Sequence, residues 1–489
     1  MTDAMIADVQ ALPHNQIRLS HGSNIVARQL FEFQPMEGGG FLSVNDTQQI
    51  NIPISTGSPA NYLNPSESML KVKFQISGGN ATSASVDNKY IFKGVSTLMK
   101  SIQVSHLTKS VVLEDLQNAD LFIQASKSLI PDSFWDSLAF DIDGSIVHTA
   151  DVYTKPPADA RLQGEGLLCD GSVAYATADN GERRFYHPDE VNVVIVRTKG
   201  KTVECEVPLP SGLLSSSLKT LLPIFNLPLK LTINTNTIAT AFKGSNSGSL
   251  PTDVKLQVRY FAGIYTMSDD NVAQNNAVIA STGLPIDFER VSNYSVIIPA
   301  GASNFAYTFG VQNISSLKSC LALLVPKEAV NNGLKDRYWF SDGSADRDDE
   351  TTTRGVSSIQ FSVGNSYYPS SPLQVAPYNY ATLHTLTKSA LLGDGGGIVY
   401  HTDSNHAENY ASEYNGVYKG RLADKFLMGM SFTRLNGSAV QSGLSLINSP
   451  LSVNMNFGNS GPSQDMVLHV FLVHQATCVV GASDVAVRF

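Results

Sequence analysis

The sequence predicts an all-β protein: two tandem antiparallel sandwiches of about eight strands each, with short helices confined to loops. Three observations carry this expectation. Short segments in which apolar and polar residues alternate, the period of a half-buried strand, recur along most of the chain. Strands do not alternate with helices, as they would in a parallel α/β sheet. Several phrases also occur twice, in the same order. Ser101-Ile102-Gln103-Val104-Ser105 is echoed by Ser358-Ile359-Gln360-Phe361-Ser362, and Lys127-Ser128-Leu129 by Lys388-Ser389-Ala390-Leu391. Ser211-Gly212-Leu213 returns as Ser442-Gly443-Leu444, and the alternating run from Pro228 to Asn234 returns from Pro450 to Asn456. The landmarks keep their order while their spacing varies, as expected of a duplicated domain whose loops have diverged.

In chain order, residues 1–24 read as a terminal arm. Met5, Ile6, Val9 and Leu12 form a short amphipathic stripe there, suited to a neighbour, a membrane surface or its own domain. The first sandwich spans 25–243. Its strand-like runs are FLSVNDTQQINIPIS, SMLKVKFQIS, LMKSIQVS and VNVVIVRTKGKTVECEVPLP, with a turn at Lys199-Gly200, and then PLKLTIN. One helix is expected over 112–128, where Leu113, Leu116, Ala119 and Ile123 share a face. Residues 141–189, rich in Gly, Pro, Asp and Ala, read as a long excursion between strands. A Gly/Ser-rich linker is placed at 244–253, and the second sandwich at 254–489. That half repeats the programme with YSVIIPAG, FAYTFGVQ, KSCLALLVP, SSIQFSVG, a helical stretch near 378–392, KFLMGMSFTRL, PLSVNMNF and MVLHVFLVHQATCVV. Eight strands per sandwich make the jelly roll the eligible architecture.

The composition narrows the function. Of 489 residues, 42% are hydrophobic but only 16% charged, against a usual ~25%. The surface must therefore be rich in Ser, Thr, Asn and Gly, which suits a tightly packed assembly. The net charge is −9, and Arg18 and Arg28 are the only strong bases among the first thirty residues, so direct nucleic-acid packaging or sequence-specific binding is not expected. With no apolar run of 18 residues and no basic-then-apolar N-terminus, neither a membrane span nor a signal peptide is expected. Cys169, Cys205, Cys320 and Cys478 form no CxxC pair and read as free thiols.

No catalytic, cofactor-binding or metal-binding residue is assigned, and no enzyme activity is expected. Gly393–Gly397 (GDGGG) lacks the Lys-Ser/Thr of a phosphate loop. Asp141–Gly144 and Ser341–Glu350 are acidic but do not fit a twelve-residue calcium loop. His401 and His406 sit in a polar loop. His469 and His474 lie on one strand, too far apart for adjacent ligation. No GxSxG elbow appears. Asn-x-Ser/Thr sites occur at Asn45, Asn80, Asn293, Asn313 and Asn436, and are expected to be unmodified without a signal peptide.

The order of VPLPSGLLSS and LPLKLTINTN at the end of the first half, and of MSFTRLNGSAVQSGLSLINSPLSVNMNF and VLHVFLVHQATCVV at the end of the second, resembles the double jelly-roll major capsid proteins of icosahedral DNA viruses. It is most similar to the compact forms found in Polinton-like viruses, virophages and algal viruses, and covers the chain from about residue 25 onward. The resemblance implies a homotrimer whose six rolls make a pseudo-hexameric capsomer in the virion. It also implies neighbouring capsomers and minor and penton proteins as partners, and a terminal arm lying inside, where it could meet an internal membrane. The alternative is a lectin-like or host-attachment module, since jelly rolls also bind sugars.

Overall fold

The computed structural model describes residues 25–77, 90–92, 95–129, 165–167, 173–175, 202–207, 209–214, 218, 220–244, 250–310, 313–333, 337–338, 355–374, 427–432, 443–458, 461–482 and 484–488. In chain order the strands begin with β1 (Ile25–Phe33), β2 (Leu42–Ser43), β3 (Gln49–Ile54), β4 (Asn61–Ser77), β5 (Tyr90–Phe92), β6 (Met99–His106) and β7 (Val112–Gln117). Next come β8 (Glu165–Leu167), β9 (Val173–Tyr175), β10 (Thr202–Val207), β11 (Leu229–Thr235), β12 (Phe242–Gly244) and β13 (Asp253–Met267). The remainder are β14 (Leu284–Ile298), β15 (Asn304–Thr308), β16 (Leu317–Pro326), β17 (Val356–Val363), β18 (Ser366–Gln374), β19 (Leu427–Ser431), β20 (Leu451–Phe457), β21 (Met466–Val480) and β22 (Val485–Arg488). The α-helices among the described residues are α1 (Ala119–Leu129), α2 (Ile238–Ala241) and α3 (Asp269–Ser281), with 3-10 turns at Val95–Leu98 and Lys327–Ala329.

Four sheets carry the fold. The first half pairs its strands as β1-β13-β4-β10 and β3-β11-β6-β7, and the second as β14-β21-β16-β19 and β15-β20-β17-β18. In each half the first strand of eight lies beside the last, the last beside the third, and the third beside the sixth. The other sheet runs second, seventh, fourth, fifth. This is the wiring of an eight-stranded jelly roll. Every neighbouring pair is antiparallel.

Duplication extends to register. Leu229 faces His106 and Ile233 faces Ile102 across β11 and β6, while Leu451 faces Val363 and Met455 faces Ile359 across β20 and β17. Counted from Ile102 and Ile359, the offsets are the same. Across the next pairing, Ser101 and Ile102 face Gln117 and Leu116, as Ser358 and Ile359 face Gln374 and Leu373. Ile102 and Ile359 therefore occupy equivalent strand positions, as do Leu229 and Leu451.

Two expectations need correction. The half boundary at 254 is misplaced, because β13 lies inside the first roll, hydrogen-bonded between β1 and β4. The passage to the second roll is α3, a helix the strand-dominated reading did not contain. The helix expected over 112–128 begins only at Ala119, since 112–117 is the edge strand β7 paired with β6. Asn118, at φ 53, makes the break, and its carbonyl accepts from the Leu121 and Phe122 amides as α1 starts. The stretch near 378–392, most of the 141–189 excursion and the Lys199-Gly200 turn lie outside the described residues.

Inward-facing positions fill the cores. In the first roll Leu70, Val72, Phe74 and Ile76 of β4 meet Ile102, Val104, Leu229, Leu231 and Ile233, all at most 1% exposed. In the second, Cys320, Ala322 and Leu324 of β16 meet Ile359, Phe361, Leu451, Val453 and Met455. The alternation seen in sequence is thus the pleat of sheets with one face on a core.

Candidate assembly interface

Strand β16 departs from that alternation: Leu321, Leu323 and Val325, on the face opposite Cys320, Ala322 and Leu324, are equally buried. They cluster with the first-roll core, as does Phe471 of β21, whose ring lies 5.3 Å from that of Phe122 on α1. The outer face of the second roll's sheet is therefore an internal joint, sealed against the first roll. Removing such apolar side chains from water supplies roughly 25 cal/mol per Å².

Polar groups set the register of the joint. The Asp120 carboxylate, at 0% side-chain exposure, accepts at Oδ2 from Arg337 Nε at 3.0 Å, Asn236 Nδ2 at 3.0 Å and the Tyr338 hydroxyl at 3.1 Å. Arg337 also donates to Asn118 Oδ1, and Asn118 Nδ2 donates to Asn293 Oδ1 on β14 at 2.8 Å. Burial works against the Arg337 charge, but Asp120 and Tyr338 hold its pKa above the usual value. Nearby, Glu114 of β7 is buried, at 6% exposure. It accepts from the Gly212 and Leu213 amides at 2.7 and 3.1 Å, and from the Ser211 hydroxyl. Burial pushes its carboxyl up to about 7, against the pull of those donors and of Arg290 on β14. Gly212 meets β14 so closely that a Cβ there would collide with the Glu289 carbonyl.

Residues noted in sequence find structural roles. His469 and His474 face Ser295 and Ser292 at 2.8 and 3.0 Å, and burial holds them neutral, with pKa values lowered to about 3 and about 4. Cys320 and Cys478 are buried free thiols, both pushed up by desolvation, and Cys205 lies in β10. Cys169, Asn80, Asn436, the GDGGG and acidic motifs, His401 and His406 lie outside the described residues. Among the described residues no group of three or more His, Cys, Asp or Glu side chains is placed to hold a metal ion, and no helix is long and apolar enough to cross a membrane. Sequence reasoning missed Glu114, Asp120 and Arg337. The signal that could have exposed Asp120 is a carboxylate opening an otherwise apolar helix, ADLFIQA.

Among the described residues the matching sheet of the first roll has no such apolar cover. On its outer face Arg28 pairs with Glu67 at 3.0 Å, Arg259 with Glu32 at 2.6 Å, and Lys71 and Lys73 with Glu204 at 3.1 and 3.0 Å. Edge strand β1 is exposed along most of its length, with Val26, Leu30 and Phe31 open to solvent.

No family model and no curated protein matches this sequence. Solved structures do match. PBCV-1 VP54, fitted into a reconstruction of the virophage Sputnik, aligns with a TM-score of 0.54 at 9% identity, covering 96% of this chain and 99% of that one. The Faustovirus major capsid protein aligns with a TM-score of 0.54 at 9% identity, covering 98% of both chains. A quasi-atomic model of the PBCV-1 capsid gives 0.50 at 9% identity, covering 96% and 99%. Strand order, register and near-complete coverage agree: this chain has the double jelly-roll fold of those viral capsid structures.

Proposed function

We propose that this protein is a major capsid protein, a structural rather than enzymatic chain that assembles as a trimeric, pseudo-hexameric capsomer in the shell of an icosahedral DNA virus. The observation that carries the reading is the pair of rolls with matched wiring and register, packed together across an apolar joint. Two such rolls give a chain two similar sides, and three copies with closed threefold symmetry give a six-sided tile. Coverage of nearly the whole of the PBCV-1 and Faustovirus capsid chains supports it, since little of either fold is left over on either side. The low charge and the long exposed edges suit a surface that other capsomers cover. Residues 1–24 would reach minor proteins or an internal membrane, and penton proteins would close the vertices. No observation favours the carbohydrate-binding alternative.

Light scattering on the purified protein tests the capsomer. The expected mass is three times the 52.6 kDa chain, about 158 kDa. Negative-stain images should show six-sided plates. A monomer at every concentration would overturn the reading.

A further inference from the structure

The internal joint brings two sheet edges together. Strand β7 closes the first roll's β3-β11-β6-β7 sheet, β14 opens the second roll's β14-β21-β16-β19 sheet, and Asn118–Asn293 ties them. Their counterparts by strand order are β18 and β1, also edge strands, and neither pairs with a further strand among the described residues. Both are largely exposed, with Leu30 at 66% on β1 and Tyr367 at 54% on β18.

We propose that β18 of one copy seats against β1 of the next, reproducing between chains the β7–β14 joint found within the chain. This rests on the capsomer reading and names the surfaces that would build it. Three features fit the two edges to each other. Long open strand edges invite indiscriminate pairing unless they are covered or blocked. β18 carries Pro369 and Pro372, which have no amide to donate, so side chains rather than a continuous ladder must make the contact. The inner joint is likewise made by side chains. Finally, β18 (SYYPSSPLQ) contains no charged residue, and the ions beside β1 are already paired in cis: Arg28 with Glu67, and Arg259 with Glu32. The arriving strand therefore needs no counter-charge. Leu30 and Phe31 offer apolar surface to Tyr367.

Two readouts test this. A benzoylphenylalanine photo-crosslinker at Leu30, in a mixture of unlabelled and 15N-labelled full-length chains, should give inter-copy links mapping to 366–374. Links to any other part of the second copy would overturn the seat while leaving the capsomer intact. Separately, Leu30→Glu and Tyr367→Glu should each raise the trimer dissociation constant at least tenfold. Tyr307→Glu, on the opposite edge strand β15, should leave it unchanged. With its ions paired in cis, the wild-type constant should change less than about threefold between 0.1 and 0.5 M salt. Unaltered trimers in both seat variants would refute the seat. A protein that never trimerises would remove the capsomer reading, and the seat with it.

Discussion

Replacing Arg337 with Met isolates the electrostatics of the internal joint. Met keeps much of the side-chain volume but removes the guanidinium, leaving Asp120 at 0% side-chain exposure with two neutral donors, Asn236 and Tyr338. Asp120 Oδ1 already has no hydrogen-bond partner among the described residues, so nothing nearby absorbs the loss. Stripping one partner from a buried pair costs about 3–5 kcal/mol. The melting entropy of about 2.1 cal/mol/K per residue amounts to about 1 kcal/mol/K for the whole chain, so melting should drop by about 3–5 °C if both rolls unfold together. If one roll unfolds alone, the entropy halves and the drop doubles to about 6–10 °C. Scanning calorimetry at fixed protein concentration separates the two cases. Adding Asp120→Asn to Arg337→Met should restore most of the loss by removing the stranded charge. A drop under about 1 °C for Arg337→Met, or no recovery in the double variant, would refute the claim that this pair is buried and coupled.

Other expectations concern the same joint and the cores. Glu114 has a raised folded pKa, so its stabilisation is present below about 4.5 and lost as pH rises through about 7. His469 and His474 have lowered values, so theirs is present above 6.5 and lost as pH falls toward 4 and 3. Between pH 6.5 and 4.5 the unfolded chain then gains about one net proton, and stability should fall by about 1.4 kcal/mol per unit of acidification. Glu114→Gln should roughly double that slope in urea titrations, and an unchanged slope would contradict the assignment. Gly212→Ala should destabilise by about 1–3 kcal/mol, because its Cβ meets the Glu289 carbonyl, while Gly40→Ala, with nothing within 4 Å, should be neutral in the same denaturation assay. Cys320 and Cys478 should resist a thiol reagent in the native protein and react once it is unfolded.

On the strands, the duplication is legible where both copies meet the same surroundings. The strand echoes, Ile102 with Ile359 and Leu229 with Leu451, fall in the β3-β11-β6-β7 sheet and its counterpart. Outward positions there are polar in both rolls: Lys230, Thr232 and Asn234 match Ser452, Asn454 and Asn456. In the other sheet the environments differ, and so do the residues. On β4 the outward positions are Lys71, Lys73 and Gln75; on β16 they are Leu321, Leu323 and Val325. With no echo to align β13 to β21, the sequence puts the half boundary one strand too early. The helix over 112–128 failed for a different reason. Leu113 and Leu116 suit a helical stripe, and nothing local reports that β6 lies alongside to pair with them. The joint residues Glu114, Asp120 and Arg337 acquire meaning only through partners far away in sequence.

In the proposed capsomer that divergence would also order the steps of assembly. If the outer face of β4 were as apolar as that of β16, the folded chain would present a large sticky sheet before meeting its neighbours, with the aggregation that such patches bring. Lys71 and Lys73 instead both pair with Glu204, so the face stays hydrated and its charge is largely offset in place while the chain is free. The apolar joint is made once, within the chain, where the two rolls are held at high effective concentration by α3. The exposed edges β1 and β18 are narrow strips of modest apolar content. In the proposed seat a contact of that kind would form late and discriminate by shape, as a tile that folds first and closes afterwards would require.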